Sequence, residues 1–213
     1  MIVSVHVPKC AGTSMMDGWR SVFGDRAVED YPPERPGAVA PDTAVVHGHI
    51  QATAYEGPRV IVLRHPVERT ISFFHQWDRR HALGRPLWSR FHEPGTFEPV
   101  VEAVRRDPRA IIDFARLDPG PYWWYLDGLA LDEFDVVGIA ERYTDVLEAI
   151  EHRFGVRLPD TRSNITEQRL VLDEATLEAV ASVLEPSVEL WEEARALPNA
   201  EVRHGDRPPV AES

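Results

Sequence analysis

The first fourteen residues constrain the fold more than any other stretch of the chain. An apolar run, Ile2-Val3-Ser4-Val5-His6-Val7, leads directly into Pro8-Lys9-Cys10-Ala11-Gly12-Thr13-Ser14, and a helical pattern follows over residues 13 to 23. A buried strand that turns sharply into a helix presents the first free amides of that helix, and the positive end of its dipole, at one edge of a sheet. Such a junction is a ready phosphate or sulfate site, although a strand, a tight turn and an N-cap Ser or Thr alone produce the same pattern. Lys9 favours the anion. It is the only lysine among 23 basic side chains, all the others being arginine. A compact ammonium with rotatable donors suits a position that a planar guanidinium does not.

The spacing excludes an ordinary ATP or GTP loop. A Walker A loop places lysine directly after its second glycine, whereas Lys9 precedes Gly12 by three positions. Cys10 has two readings. It is either a low-pKa nucleophile in an amide-rich loop or a small thiol packed inward. A phosphatase-like loop wants arginine six positions later, and Met16 stands there. The packed thiol is therefore the expectation. One cysteine forms no internal disulfide, which fits a reducing compartment.

A chain of 213 residues has room for one domain with a full core. We expect that domain to span residues 1–197, followed by a poorly ordered polar tail over 198–213. With a strand at residue 2 and no long apolar run, neither a signal peptide nor a membrane span is expected, and cytoplasmic residence is. A net charge of −12 argues against nucleic acid as a partner. The charge is uneven: residues 69–116 carry 9 basic and 6 acidic side chains, whereas residues 117–213 carry 8 and 21. Arg79, Arg80, Arg85, Arg90, Arg105, Arg106 and Arg109 make either a rim that attracts an anion or a solvated helix face.

Strands are predicted over residues 2–7, 44–47, 59–63 and 135–139, nearly continuous in hydrophobicity, as parallel strands covered on both faces are. Helices are predicted over 13–23, 67–82, 143–154 and 173–196, the last turning Leu177, Val180, Val183, Leu184, Val188 and Trp191 to the core. Residues 24–43 and 83–99, rich in proline and glycine, read as loops. This alternation predicts a three-layer α/β domain with a mainly parallel central sheet flanked by helices.

The run from Arg59 to Ser72 carries a second signal. A buried strand ends at Arg64, Pro66 suits the first turn of a helix, and Ser72 lies about two turns along it. An arginine at a strand's carboxyl end stands where open α/β sheets bind ligands, and with a nearby hydroxyl it suits a second phosphate. Arg69 is expected to brace Glu68 or a neighbouring element. His47-Gly48-His49 closes the second strand. Its histidines are candidates for a metal pair or for a general base, and no partners with ligand spacing accompany them. The aromatic run Tyr122-Trp123-Trp124 suits either stacking on an acceptor or the core, and His75 and Trp77 are equally open.

Taken together, these segments resemble a known family. HVPKCAGTS resembles the 5′-phosphosulfate loop of sulfotransferases, usually close to I-P-K-T-x-G-T-S, and VIVLRHPVERTISFF resembles their 3′-phosphate segment, usually R-D-P-x-x-R-x-x-S. The intervening HGH resembles that of the heparan sulfate and uronyl 2-O-sulfotransferases, and VVGIAERYTDVLEAIE resembles a later strand and helix of the same group. The resemblance implies a P-loop-like fold and a donor, 3′-phosphoadenosine-5′-phosphosulfate, whose product is adenosine 3′,5′-bisphosphate, with no metal.

By position, the resemblance implies that Lys9, Cys10, Ala11, Gly12, Thr13 and Ser14 hold the 5′-phosphosulfate and that Arg64 and Ser72 hold the 3′-phosphate. Arg162, Asn164 and Thr166 would close over the nucleotide. His49 would be the base, Lys9 a catalytic cation, and His47, His75 and Trp124 contacts to a carbohydrate or other small acceptor. The chain departs from the pattern at Cys10 and His65, and its net charge has the wrong sign for gripping heparan sulfate. Two alternatives remain: a nucleotide or small-molecule kinase with an atypical phosphate loop, and a non-catalytic nucleotide-binding module.

Overall fold

The computed structural model describes residues 1–31, 37–87, 89–161 and 170–197. The chain opens with β1 (Ile2–Val5), α1 (Gly12–Phe23), β2 (Ala27–Glu29), β3 (Val45–Gly48), β4 (Arg59–Leu63) and α2 (Pro66–Ala82). There follow α3 (Glu98–Arg106), α4 (Ile111–Leu117), α5 (Tyr122–Leu126), β5 (Val136–Ile139), α6 (Tyr143–Phe154), α7 (Glu174–Val183) and α8 (Glu185–Ala196), with short 3-10 turns between some of them. All strand pairs are parallel, and the sheet order is β2-β3-β1-β4-β5.

The sheet is covered on both faces, as its apolar strands require. Val3, Val5, Val46, Ile61, Leu63 and Ile139 point into one core with Tyr122, Tyr125, Phe134 and Trp191. Their neighbours Ile2, Val45, Val60, Val62 and Val136 point the other way, onto Met15, Met16 and Trp19 of α1 and Val146 and Ile150 of α6. The period of two along each strand makes this division. A third apolar cluster joins α2, α3, α4 and α7 around Phe74, Trp77, Val101, Phe114 and Val180. The result is the expected three-layer α/β architecture.

Three local expectations change. Residues 24–43 are not all loop, because Ala27–Glu29 pairs in parallel with β3 as an edge strand. The stretch 83–99 ends inside α3, and α4 follows, both of them short amphipathic helices in a segment punctuated by proline. The helix expected over 173–196 is two, broken at Leu184. Pro186 has no N–H to bond back to Ser182, and its ring crowds that carbonyl, so the chain restarts as α8. Of the core positions expected there, Val180, Leu184 and Trp191 are buried and Val183 and Val188 partly so, whereas Leu177 is exposed. The tail 198–213 lies outside the described residues. Among those described, no helix is long and apolar enough to cross a membrane.

The crossover from β1 runs toward β2 and that from β4 toward β5, so neighbouring β1 and β4 send their chains to opposite sides. This is the switch point above which open parallel sheets bind ligands. Close packing beside it depends on Gly48, where a Cβ would lie 1.5 Å from the Asp30 carbonyl oxygen. Gly48→Ala is expected to cost about 1–3 kcal/mol of stability by overpacking, read as a lowered urea midpoint.

Candidate active site

The junction between β1 and α1 is shaped by two left-handed residues, Lys9 with φ 69° and Ala11 with φ 62°. Neither is glycine, so both positions are held by their surroundings. The Lys9 carbonyl accepts from Arg64 Nη1 at 3.4 Å. Gly12 admits the His6 imidazole so closely that a Cβ would fall 1.8 Å from its Nε2. The helix starts at Gly12, with Ala11 at the cap position. It has no side-chain cap and no acidic residue in its first turn. The first turn therefore meets no oxygen from a capping side chain, and an anion suits the amides of Gly12 and Thr13. Thr13 is exposed and Ser14 buried.

Cys10 points inward, at 2% exposure. Its amide donates to the Val7 carbonyl at 3.2 Å. Burial pushes its thiol up to about 11, so it is protonated and inert as a nucleophile. The ligand contact expected of Cys10 is not offered, because both its polar groups are committed below the loop.

Cations gather above this loop. Burial first, and then the charges of Arg64 and Arg79, lower the Lys9 ammonium from its ordinary value. Arg64 leaves the end of β4 with Nη2 3.6 Å from Glu68 Oε2. Ser72, His75 and Arg79 recur at helical spacing on one side of α2. His75 Nε2 accepts from the Leu170 amide at 3.0 Å, so this nitrogen is occupied by backbone rather than free for an acceptor. Of the arginine rim, Arg105 pairs with Asp78 and Glu102, Arg109 with Asp173, and Arg80 bonds the Pro86 carbonyl. Arg79 and Arg90 are the members whose charges act at Lys9 and His49.

Beside the loop, three imidazoles meet. His6 stacks on His47 with ring centres 4.9 Å apart and tilts against His49 at 4.5 Å, while Tyr31 packs edge-on to His49 at 4.7 Å. Trp19 Nε1 donates to Ser4 Oγ at 3.1 Å, and Ser4 Oγ lies 2.9 Å from His47 Nδ1. These two bonds tie the His47 ring through Ser4 to Trp19 of α1. His47 is 1% exposed under His6, so the acceptor contact expected of it gives way to a supporting place. His49, less deeply buried, has an Nε2 with no hydrogen-bond partner. Burial and then the Arg90 charge lower His49 to about 4, and burial followed by the neighbouring His49 lowers His47 to about 3. Burial also holds His6 well below the ordinary value. All three rings are neutral at pH 7, and no described group of three or more His, Cys, Asp or Glu is arranged to hold a metal.

The aromatic run divides by burial. Tyr122 is core, Trp123 is 68% exposed, and half-buried Trp124 lies under the Arg90 guanidinium at 4.3 Å and against Tyr125. Tyr125 in turn faces His49 at 6.5 Å, which leaves Trp124 on the His49 side. Arg162, Asn164 and Thr166 lie outside the described residues. Sequence reasoning missed His6 and Tyr31. The signal for His6 was its place at the end of β1, and Tyr31 left none, since it follows the edge strand β2, which no sequence pattern marked.

Compared with known proteins, the chain matches no family model, and no curated protein is significantly similar to it.

Because burial lowers all three histidines, the unfolded chain binds more protons than the folded one between the ordinary value near 6.5 and the folded values near 3 to 4. Stability is therefore fully present above pH 6.5 and falls as the pH drops toward 4. Urea midpoints at pH 7.5, 6 and 5 are expected to decline in that order, and a flat series would remove the buried neutral cluster.

Proposed function

We propose that the protein is a sulfotransferase that moves a sulfuryl group from 3′-phosphoadenosine-5′-phosphosulfate to a hydroxyl of a carbohydrate or other small acceptor. One observation carries the proposal. An uncapped helix start with Lys9, an arginine at the end of the adjacent strand, and a neutral imidazole with an unpartnered nitrogen all stand at one edge of the sheet.

The residues fit such a donor. Lys9 and the amides of Gly12 and Thr13 would hold the 5′-phosphosulfate, and Arg64 with Ser72 the 3′-phosphate. When bound, the donor supplies a sulfuryl group on a phosphate leaving oxygen. His49 Nε2, neutral and unpartnered, would take the acceptor proton as the acceptor oxygen bonds to sulfur. Lys9 and the loop amides would stabilise the charge left on phosphate, so positioning and electrostatics carry the rate. His6 and Tyr31 hold the His49 ring from two sides, and Trp124 with Arg90 would line the acceptor side. The lone thiol suits the reducing setting of a cytoplasmic protein.

A kinase reading gains less. It expects ATP and Mg²⁺, and the loop lacks Walker A spacing. A binding module without turnover accounts for the anion loop but gives His49, just past β3, no chemical role.

Thermal stabilisation by adenosine 3′,5′-bisphosphate is expected to exceed that by AMP or ATP, and an equal shift with AMP would remove the second phosphate site. With labelled sulfate donor and a panel of sugars and phenols, His49→Ala should lower transfer by about 10²–10⁴-fold while keeping the bisphosphate shift. Lys9→Arg should keep nucleotide binding and lower turnover by about 10²–10³-fold. Near-normal turnover in that variant would remove the role given to Lys9.

A further inference from the structure

We propose that Tyr122 is a positioning residue through which the chain discriminates a nucleotide bearing a 3′-phosphate from one without it. The proposal rests on the sulfotransferase reading of the same site. Arg64 is the first residue beyond β4, and the ladder to β5 ends at Leu63 paired with Ile139. Its backbone donor and acceptor have left the sheet, and each needs a partner. One side-chain atom serves both. The Tyr122 hydroxyl accepts from the Arg64 amide at 3.3 Å and donates to the Arg64 carbonyl.

Tyr122 is itself held in place. Its ring, 1% exposed, lies under the Arg69 guanidinium at 4.3 Å. Arg69 is equally buried, bonds Asp118 Oδ1 at 2.8 Å and also donates to the Gly120 carbonyl. Asp118, at φ 34°, accepts from the Gly120 amide at 3.3 Å, which fixes the turn that delivers Tyr122 to the start of α5. Since Arg69 is five residues after Arg64 on α2, the contacts form a closed circuit: Arg64, α2, Arg69, the turn, Tyr122 and back to Arg64. Arg64 Nη1 also reaches the Lys9 carbonyl. One hydroxyl thus sets the peptide that aims Arg64, and through Arg64 it is linked to the loop that carries Lys9. Phenylalanine would keep the ring packing and the cation–π contact and remove only this link.

The test is calorimetric titration of wild type and Tyr122→Phe with adenosine 3′,5′-bisphosphate and with AMP. Wild type is expected to prefer the bisphosphate. Tyr122→Phe is expected to cut that preference by about tenfold while AMP affinity stays within about twofold, a split that general loosening of the fold would not produce. If wild type prefers the bisphosphate and the variant keeps the full preference, the role of Tyr122 is overturned and the two-phosphate reading stands. If wild type shows no preference, both fall. Should the variant fail to fold, hydrogen exchange on wild type decides. The bisphosphate, and not AMP, should protect segments 59–66 and 118–126 together, and protection of the first segment alone would overturn the proposal.

Discussion

The left-handed backbone at Lys9 and Ala11 is the constraint on which the rest of the site depends. For residues with a Cβ this conformation costs roughly 1–2 kcal/mol each, and two such residues flank the buried Cys10. The bend turns β1 into α1 within a few residues and leaves the first amides of the helix facing out from the switch point. It persists because packing holds it on every side. Cys10 is sunk beneath, His6 fills the space that a side chain at position 12 would need, and Arg64 reaches the Lys9 carbonyl. The glycine is needed for the imidazole that lies on it, since its own dihedral angle is ordinary.

Charge balance follows from that geometry. A chain with net charge −12 concentrates cations at the one edge where helix amides also point. Nearby acids are mostly engaged away from the loop. Asp118 neutralises buried Arg69, Glu102 takes His81 and Arg105, and Glu141 accepts from the His65 amide, while Glu68 stands beside Arg64. Burial first, and then repulsion from Arg64 and Arg79, lowers the Lys9 ammonium value. An anion placed there would relieve that repulsion, so the site is electrostatically prepared for one. The histidine cluster is the complementary case: burial keeps three imidazoles neutral where cations already crowd, and a neutral ring is the form that can accept a proton.

How far the sequence could be read differs by element. Continuous apolar runs gave away four of the strands, because a strand covered on both faces has no polar side to disguise it. The edge strand Ala27–Glu29 escaped because three residues with a buried, intermediate and exposed pattern carry too little signal. The short helices α3 and α4 escaped because proline and glycine dominate their surroundings. At the site, Lys9, Gly12, Arg64 and His49 were legible from local pattern. The packed thiol of Cys10 was expected too, whereas the burial of His47 and the backbone partner of His75 were not legible, since each depends on what packs against the residue.

By itself, the sequence determined the layered α/β class, the strand-to-helix turn and the retention of one lysine in it, since periodicity, turn chemistry and residue choice are local properties. Only the tertiary structure decided the strand order, the meeting of His6, His47 and His49, and the link from Arg69 through Asp118 and Tyr122 to Arg64. Those contacts join residues far apart in the chain, 49 positions for Arg69 with Asp118 and 58 for Tyr122 with Arg64. No local pattern encodes such a partner, because it comes within reach only when the sheet has assembled and the helices have closed over its two faces.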